Sequence, residues 1–284
     1  MEKETEKRIY KRVGAHELEL LVTKPEGWRA DAGLPAIVWI HGGGWKSGYP
    51  ERFVPHSVRF AARGAVCFSV RYRLVGQPLG ADADGETATV EHCVADCRSA
   101  VRYIRMHAVE LGIDPTRIAA CGDSAGGHLA SCLATLNEFD EPGEDTSVPA
   151  LGDAVINMNG VVDLTRAFLD LPMQSDRDAS GDEVARYLRR DAQAKRLSPV
   201  FHSRPGGPPM LQLHGLLDTV VLPDHAVRMH EAHLAAGNHS ELVLYPDAKH
   251  AFVLYDYTAT EAQVERAVAD IDAFLTRLGW LDEA

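Results

Sequence analysis

A regular alternation of apolar strands and amphipathic helices is the feature that most limits how this chain can fold. The segment 35–40 is continuously apolar, which is typical of a strand covered on both faces of a parallel sheet, and 65–70 is predicted to be a second buried strand. A helical pattern follows each of them, at about 51–63 and at about 87–107. Strands and helices in this order predict an α/β sheet in which parallel strands are joined by right-handed crossovers.

The alternation continues to the end of the chain with a single interruption. Further strands are predicted at 117–121, 153–158, 209–213 and 241–245, and further helices at about 124–137, 222–236 and 260–278. With an opening hairpin of 8–13 and 18–23, joined through 14–16, we expect a mainly parallel, doubly wound sheet of about eight strands flanked by helices. The interruption at 160–207 has few apolar runs, and we expect it to be a short helical insertion over the edge of the sheet.

Length and composition fit one globular catalytic domain over residues 1–284, with 160–207 as its lid. Of the 284 residues, 45% are hydrophobic and 25% are charged, ordinary values for a chain that buries a large core. The formal net charge of -12 argues against a nucleic-acid partner, because binding to phosphates needs a basic surface. The five cysteines are an odd number without paired spacing, so we expect them to be buried thiols.

No segment of the sequence is predicted to enter a membrane. The N-terminus is mostly charged and lacks the apolar core of a signal peptide, and no run reaches the ~18 apolar residues of a membrane-spanning helix. The expected location is therefore cytoplasmic, and it becomes secreted or periplasmic if a signal peptide has been removed.

The segment Gly122-Asp123-Ser124-Ala125-Gly126 matches the pattern G-x-S-x-G where a predicted strand turns into a predicted helix. So sharp a turn strains the backbone of the serine and leaves room only for glycine on either side. A glycine-rich helix start with a serine cap is the competing interpretation, and the position between strand and helix disfavours it. We therefore predict that Ser124 is a nucleophile and that the Ala125 amide stabilises an oxyanion.

A run of three glycines, His41-Gly42-Gly43-Gly44-Trp45, follows the buried strand 35–40. Backbone without side chains can approach a carbonyl oxygen closely, so Gly43 and Gly44 are predicted to donate to the oxyanion together with Ala125. Gly42 is an alternative to either glycine. His41 is expected to hold the loop by hydrogen bonding, and Trp45 is predicted to line the substrate pocket, although a packed loop aromatic explains it equally well.

A serine nucleophile needs a histidine to take its proton and an acid to orient that histidine. In a sheet of this kind the three residues follow the order serine, acid, histidine, each on a loop after a strand. His250 follows the last predicted strand and is the predicted base. Asp218 follows the strand 209–213 and is the predicted acid, with Asp163 and Asp247 as rivals.

Three of the thirteen histidines, His225, His230 and His233, share one predicted helix. A pair three residues apart could bind a metal ion, but no third ligand with suitable spacing completes a site. We expect these histidines to lie on a solvated helix face. Neither a metal nor another cofactor is expected.

Taken together, these motifs resemble the α/β-hydrolase esterases related to hormone-sensitive lipase. Only 40 residues precede His41, which leaves little room for the large N-terminal cap of that group. The segments Gly126-Gly127-His128-Leu129-Ala130 and Leu197-Ser198-Pro199-Val200 look more like bacterial feruloyl, acetylxylan and related carbohydrate esterases. The resemblance implies the α/β-hydrolase fold and hydrolysis of short-acyl or hydroxycinnamoyl esters, on small molecules or oligosaccharides, with 160–207 shaping the pocket.

Two other functions use the same residues or the same scaffold. An arylformamidase would cleave an amide with the same triad, and a non-catalytic protein could bind a ligand on the same fold. A metal-dependent hydrolase is supported only by the number of histidines. The complete set of Ser124, Asp218 and His250 favours a serine carboxylesterase that works through an acyl-enzyme.

Overall fold

An eight-stranded sheet organises the chain in the computed structural model, which describes residues 5–14, 16–80, 85–165, 171–178, 180–255 and 257–283. The strands are β1 Glu6–Val13, β2 His16–Thr23, β3 Leu34–Ile40, β4 Val66–Val70, β5 Ile113–Asp123, β6 Ala154–Met158, β7 Met210–Gly215 and β8 Ser240–Tyr245. Their order across the sheet is β1-β2-β4-β3-β5-β6-β7-β8. β1 pairs antiparallel with β2 and β2 with β4, whereas all later neighbours are parallel.

The prediction of a mainly parallel sheet of about eight strands is confirmed. The sheet is mixed because the opening hairpin adds two antiparallel strands at one edge; of its predicted connection 14–16, Ala15 lies outside the described residues. The helices are α1 Val54–Ala62, α2 Val90–Met106, α3 Ala108–Leu111, α4 Ala125–Thr135, α5 Glu183–Arg196, α6 Asp224–Ala235 and α7 Glu261–Arg277.

The core lies on both faces of the sheet, which explains why strand β3 is apolar at every position. Successive side chains of a strand point to opposite faces. In β3, Ala36, Val38 and Ile40 pack in one cluster with α2 and α4. Ile37 and Trp39 pack in the other cluster with α1 and α7.

The predicted insertion at 160–207 is helical in its described part. It contains α5, and 3-10 turns at Gln174–Arg177 and Pro199–Phe201, whereas 166–170 and 179 lie outside the described residues. The carboxylate of Glu91, at the start of α2, accepts hydrogen bonds from the Gln174 amide at 3.0 Å and from Gln193 Nε2 at 2.7 Å. The insertion is thus anchored to the helix that follows β4 in the chain.

All five cysteines are free and buried, as predicted. Within the described ranges, no helix is both long enough and apolar enough to cross a bilayer.

Candidate active site

Ser124 occupies the sharp turn between β5 and α4. Its backbone has φ 52° and ψ -119°, a strained conformation for a residue with a side chain. A Cβ atom at Gly122 would lie 2.2 Å from the carbonyl oxygen of Gly126, and a Cβ atom at Gly126 would lie 2.0 Å from that of Ile40. The turn therefore requires glycine on both sides of Ser124, as the sequence predicted.

The structure brings Ser124, His250 and Asp218 together at the carboxyl edge of the sheet. His250 Nε2 lies 2.9 Å from Ser124 Oγ, and His250 Nδ1 lies 2.7 Å from Asp218 Oδ2. A carboxylate only accepts hydrogen bonds, so Nδ1 carries the proton and Nε2 is free to accept from the serine hydroxyl. The rival acids lie elsewhere, because Asp163 pairs with Arg228 at 2.8 Å and the Asp247 carboxylate pairs with an arginine of α7.

Asp218 stays ionised although it is buried. Burial alone would raise its pKa, but hydrogen bonds from His214 and His250 outweigh that effect and hold the pKa well below the ordinary value. The amides of Val220 and Val221 also donate to Oδ1, at 2.9 and 3.0 Å. His214 Nε2 donates to the Val221 carbonyl at 2.9 Å, so His214 also supports this loop.

The glycine loop after β3 presents unpaired backbone amides to the same space. Gly43 and Gly44 have φ values of 114° and 61°, in the left-handed region that favours glycine. No residue in the described ranges accepts a hydrogen bond from the amides of Gly43, Gly44 or Ala125. Three backbone amides without a partner beside Ser124 suit an oxyanion, which accepts hydrogen bonds from such donors. Gly42 is not available, since its amide donates to Asp123 Oδ1 at 2.7 Å.

Asp123 is a functional residue that the sequence reasoning did not identify. Its carboxyl is buried and ties the turn at Ser124 to the glycine loop through Gly42. Burial raises the pKa of Asp123 to about 6, and the Gly42 hydrogen bond limits the rise. The available signal was an acidic residue directly before the nucleophile, facing a run of glycines across neighbouring strands.

Aromatic and histidine side chains hold the glycine loop in place. His41 Nδ1 donates to the Gly42 carbonyl at 2.8 Å, and its ring stacks on Tyr72 with 4.3 Å between ring centroids. Burial lowers the pKa of His41 to about 4, so the ring is neutral. The structure therefore gives His41 the supporting position that was expected of it.

Trp45 forms a wall of the site and is only 2% exposed. Its Nε1 donates to His128 Nδ1 at 3.2 Å, and His128 Nε2 donates to the Leu197 carbonyl at 2.7 Å. Trp45 thus fits both interpretations of it, because it lines the cavity and also packs the glycine loop against the insertion.

A cavity of about 220 Å³ opens in front of Ser124. Of the predicted insertion, Val161 is the one described residue that lines the cavity, and the expectation that 160–207 shapes the pocket stays a prediction. The connections after β3, β7 and β8 supply most of the described walls. The lining residues that the sequence did not reveal are Arg52, Val161, Val220, Val221, Ala251, Leu254 and Tyr257.

The histidines of α6 do not form a metal site. His225 and His233 are buried, so their predicted place on a solvated face is wrong. The Val162 amide donates to His225 Nδ1 at 3.1 Å, and His233 Nε2 donates to the Pro208 carbonyl at 2.8 Å. No group of three potential ligands that could hold a metal ion occurs in the part of the chain that the structure describes.

Two family models match the sequence of this chain. The model described as BD-FAE matches residues 23–233, which include the glycine loop, Ser124 and Asp218. The model of the Dienelactone hydrolase family matches residues 198–283, which include Asp218 and His250.

Curated relatives include two esterases from Mycobacterium tuberculosis (strain ATCC 25618 / H37Rv). Carboxylesterase NlhH is 37% identical over 107 residues, which cover 36% of this chain and 30% of NlhH. Esterase LipC is 29% identical over 250 residues, which cover 80% of this chain and 55% of LipC. The chain thus spans about a third to just over half of the length of these two relatives.

Solved structures of Thermogutta terrifontis esterase 2 are similar to the whole chain. Its apo form has a TM-score of 0.83 at 35% identity, and the matched region covers 99% of this chain and 97% of the apo-form chain. Its propionate-bound form has a TM-score of 0.83 at 34% identity, and the matched region covers 99% of this chain and 96% of the propionate-bound chain.

Proposed function

We propose that this chain, which belongs to the BD-FAE family and has the fold of α/β-hydrolase esterases, is a serine carboxylesterase that hydrolyses short-acyl esters through an acyl-enzyme on Ser124. The observation that carries the proposal is the arrangement around the serine hydroxyl. Ser124 Oγ lies 2.9 Å from the imidazole of His250, and Gly43 and Gly44, whose amides have no partner among the described residues, line the same cavity.

Each group has a definite part in the proposed reaction. Ser124 Oγ attacks the carbonyl carbon of the ester while His250 Nε2 takes the hydroxyl proton. The carbonyl oxygen becomes an oxyanion that accepts hydrogen bonds from Gly43, Gly44 and Ala125. The intermediate then expels the alcohol, which receives the proton from His250. A water molecule repeats the sequence, releases the carboxylic acid and restores the serine.

The dimensions of the site support a small acyl group. Pockets for drug-sized ligands usually measure about 300–1,000 Å³, whereas the cavity in front of Ser124 measures about 220 Å³. Thermogutta terrifontis esterase 2 has been solved with propionate and with butyrate bound, both of them short acids. We therefore place acetyl to butyryl esters first among the substrates.

Hydroxycinnamoyl esters and acetylated carbohydrates form the second candidate class. A neighbouring cavity of about 290 Å³ is lined by Tyr49, Tyr255 and Tyr257, and aromatic rings of this kind favour flat or sugar-like groups.

The test compares p-nitrophenyl acetate, butyrate and octanoate with a feruloyl ester and an acetylated xylo-oligosaccharide. Ser124→Ala should fold normally and lose nearly all turnover. Ser147→Ala is the matched control, because Ser147 is exposed and its hydroxyl contacts only Asp145. Covalent labelling by paraoxon, which phosphorylates Thermogutta terrifontis esterase 2, should occur in the wild type and fail in Ser124→Ala.

Undiminished turnover by Ser124→Ala would contradict the proposal. Faster cleavage of formylkynurenine than of any ester would replace it with an amide hydrolase. Absence of both turnover and labelling would favour a non-catalytic binding protein. Retention of octanoate turnover at the acetate rate would contradict the short-acyl assignment alone.

A further inference from the structure

Arg52 lies where the active-site cavity joins the second cavity. It belongs to the 3-10 turn Pro50–Phe53 on the connection between β3 and α1, beyond the glycine loop. Arg52, Leu254 and Tyr257 line both cavities, of about 220 Å³ and 290 Å³. The two spaces therefore form one cleft, and a group attached to an ester at Ser124 can extend past the guanidinium of Arg52.

Among the described residues, the guanidinium of Arg52 has aromatic neighbours and no anionic partner. Its Cζ atom lies 5.2 Å from the centroid of the Tyr49 ring and 5.6 Å from that of Tyr257. Throughout the ranges that the structure describes, no carboxylate lies within 4 Å of it. The adjacent Glu51 does not pair with it and instead faces Arg71 at 3.6 Å.

This lack of a partner is unusual in a chain with 41 acidic and 29 basic residues. The two nearby arginines, one in α1 and one at its C-terminal end, both pair with carboxylates. Arg59 pairs with Glu265 at 2.9 Å, and Arg63 pairs with Asp272 at 2.6 Å. Arg52 is therefore a cation that lines the cleft and whose guanidinium donors are not used by any residue that the structure describes.

The chemistry of the guanidinium defines what it would bind. Arginine presents a planar set of donors that matches the two oxygens of a carboxylate, and the flanking rings reduce its hydration. Among the described residues, the other ionisable groups around the active-site cavity make no hydrogen bond or ion pair with Arg52. Asp123 is occupied by the Gly42 amide, and His250 by Ser124 and Asp218.

We propose that the cleft selects esters that carry a carboxylate and that Arg52 binds this carboxylate while the ester carbonyl lies at Ser124. This inference rests on the proposed esterase function and narrows its substrate class. The carboxylate can belong to the acyl part of the ester or to the alcohol part. Both cases use the same contact to Arg52, and suitable substrates separate them.

The test measures kcat/KM for charged and neutral esters in matched pairs. Monoethyl succinate against ethyl butyrate examines a carboxylate on the acyl side. 4-Acetoxybenzoate against its methyl ester examines a carboxylate on the alcohol side. In the wild type, the charged member of at least one pair should be preferred, and high salt should reduce the preference because it screens the ion pair.

Arg52→Gln should lower the ratio of charged to neutral kcat/KM by about 10- to 100-fold for the preferred pair, the range expected for hydrogen bonds to a charged group. Arg52→Lys should restore part of the ratio, because it keeps the charge and loses the paired donors. Arg59→Gln is the control, since Arg59 is a neighbouring arginine outside the cleft, and its ratio should equal that of the wild type.

The outcomes distinguish this inference from the proposed function. Hydrolysis of the neutral esters with a ratio that Arg52→Gln leaves unchanged would overturn the role of Arg52 and leave the esterase intact. A similar fall in the ratio of charged to neutral kcat/KM for Arg59→Gln would show a general effect of removing positive charge. That result would also overturn the role of Arg52. Absence of turnover for every ester by the folded wild type would overturn both.

Discussion

The buried carboxyl of Asp123 predicts how the stability of this protein depends on pH. Burial raises its pKa from the ordinary 3.8 to about 6, although the hydrogen bond from Gly42 acts in the opposite direction. A carboxyl with a higher pKa in the folded chain binds its proton more tightly there than in the unfolded chain. Its contribution to stability is therefore complete below the ordinary pKa and is lost as the pH rises through about 6.

The size of the effect follows from the two pKa values. A difference of about 2 pKa units corresponds to about 3 kcal/mol in the free energy of unfolding, of which about 2 kcal/mol falls between about pH 4.5 and about pH 7. Asp123→Asn removes the titration and keeps an oxygen that accepts from the Gly42 amide. The stability of the wild type should thus fall by about 2 kcal/mol relative to Asp123→Asn over this interval.

Urea unfolding followed by circular dichroism, at several pH values for each protein, measures this difference. Asp163→Asn is the control, because the pKa of Asp163 is shifted in the opposite direction. Burial would raise the pKa of Asp163, but hydrogen bonds from Thr165 and the ion pair with Arg228 hold it below the ordinary value. The contribution of Asp163 to stability is lost only as the pH falls below the ordinary pKa of an aspartate. The difference in free energy of unfolding between Asp163→Asn and the wild type should therefore stay constant between about pH 4.5 and about pH 7. A flat difference for Asp123→Asn as well would refute the reasoning.

Three further predictions concern the site. Asp218→Asn should lower kcat for p-nitrophenyl acetate by about 10⁴-fold, since the amide no longer fixes the protonated nitrogen of the base; an equal loss in Asp247→Asn would contradict the assignment of the acid. Gly43→Ala should lower kcat more than it raises KM, because a Cβ atom there would lie 2.3 Å from a backbone carbonyl oxygen and displace the oxyanion donors. Trp45→Phe should lower the free energy of unfolding by about 1–3 kcal/mol, because buried His128 loses its donor; an unchanged thermal midpoint would argue against this hydrogen bond.

Hydrophobic periodicity predicts the strands well where a strand is buried on both faces, and less well at its ends. β5 begins at Ile113, four residues before its predicted start. Leu34 pairs with Ile113 and Ala36 with Ile118, so an irregular segment lies between the two pairs. In that segment the Asp114 carboxylate accepts from the Thr116 amide at 2.8 Å, which is turn chemistry. The local sequence around Asp114 is therefore typical of a turn. Only the pairing with β3 shows that strand β5 continues through this segment.

The triad could be predicted because the order of parallel strands places its members. Ser124, Asp218 and His250 each follow a strand whose carboxyl end lies at one edge of the sheet. Arg52 and Tyr257 have no such constraint. They reach the site because two long connections, after β3 and after β8, approach each other in the folded chain. No periodicity or spacing within either segment indicates that approach.

The residues that carry out the proposed reaction and the residues that would select the substrate are therefore placed by different parts of the fold. The reacting hydroxyl and the oxyanion donors depend on short turns next to the sheet, where a Cβ atom at Gly122 or Gly126 would overlap backbone. Two of the side chains that line the cleft, those of Arg52 and Tyr257, belong to connections at the surface, which tolerate change because few buried contacts depend on them. Tyr257, for example, is 60% exposed. Substitutions at Arg52 and Tyr257 should therefore alter which esters react while leaving the fold and the relay of Ser124 and His250 in place.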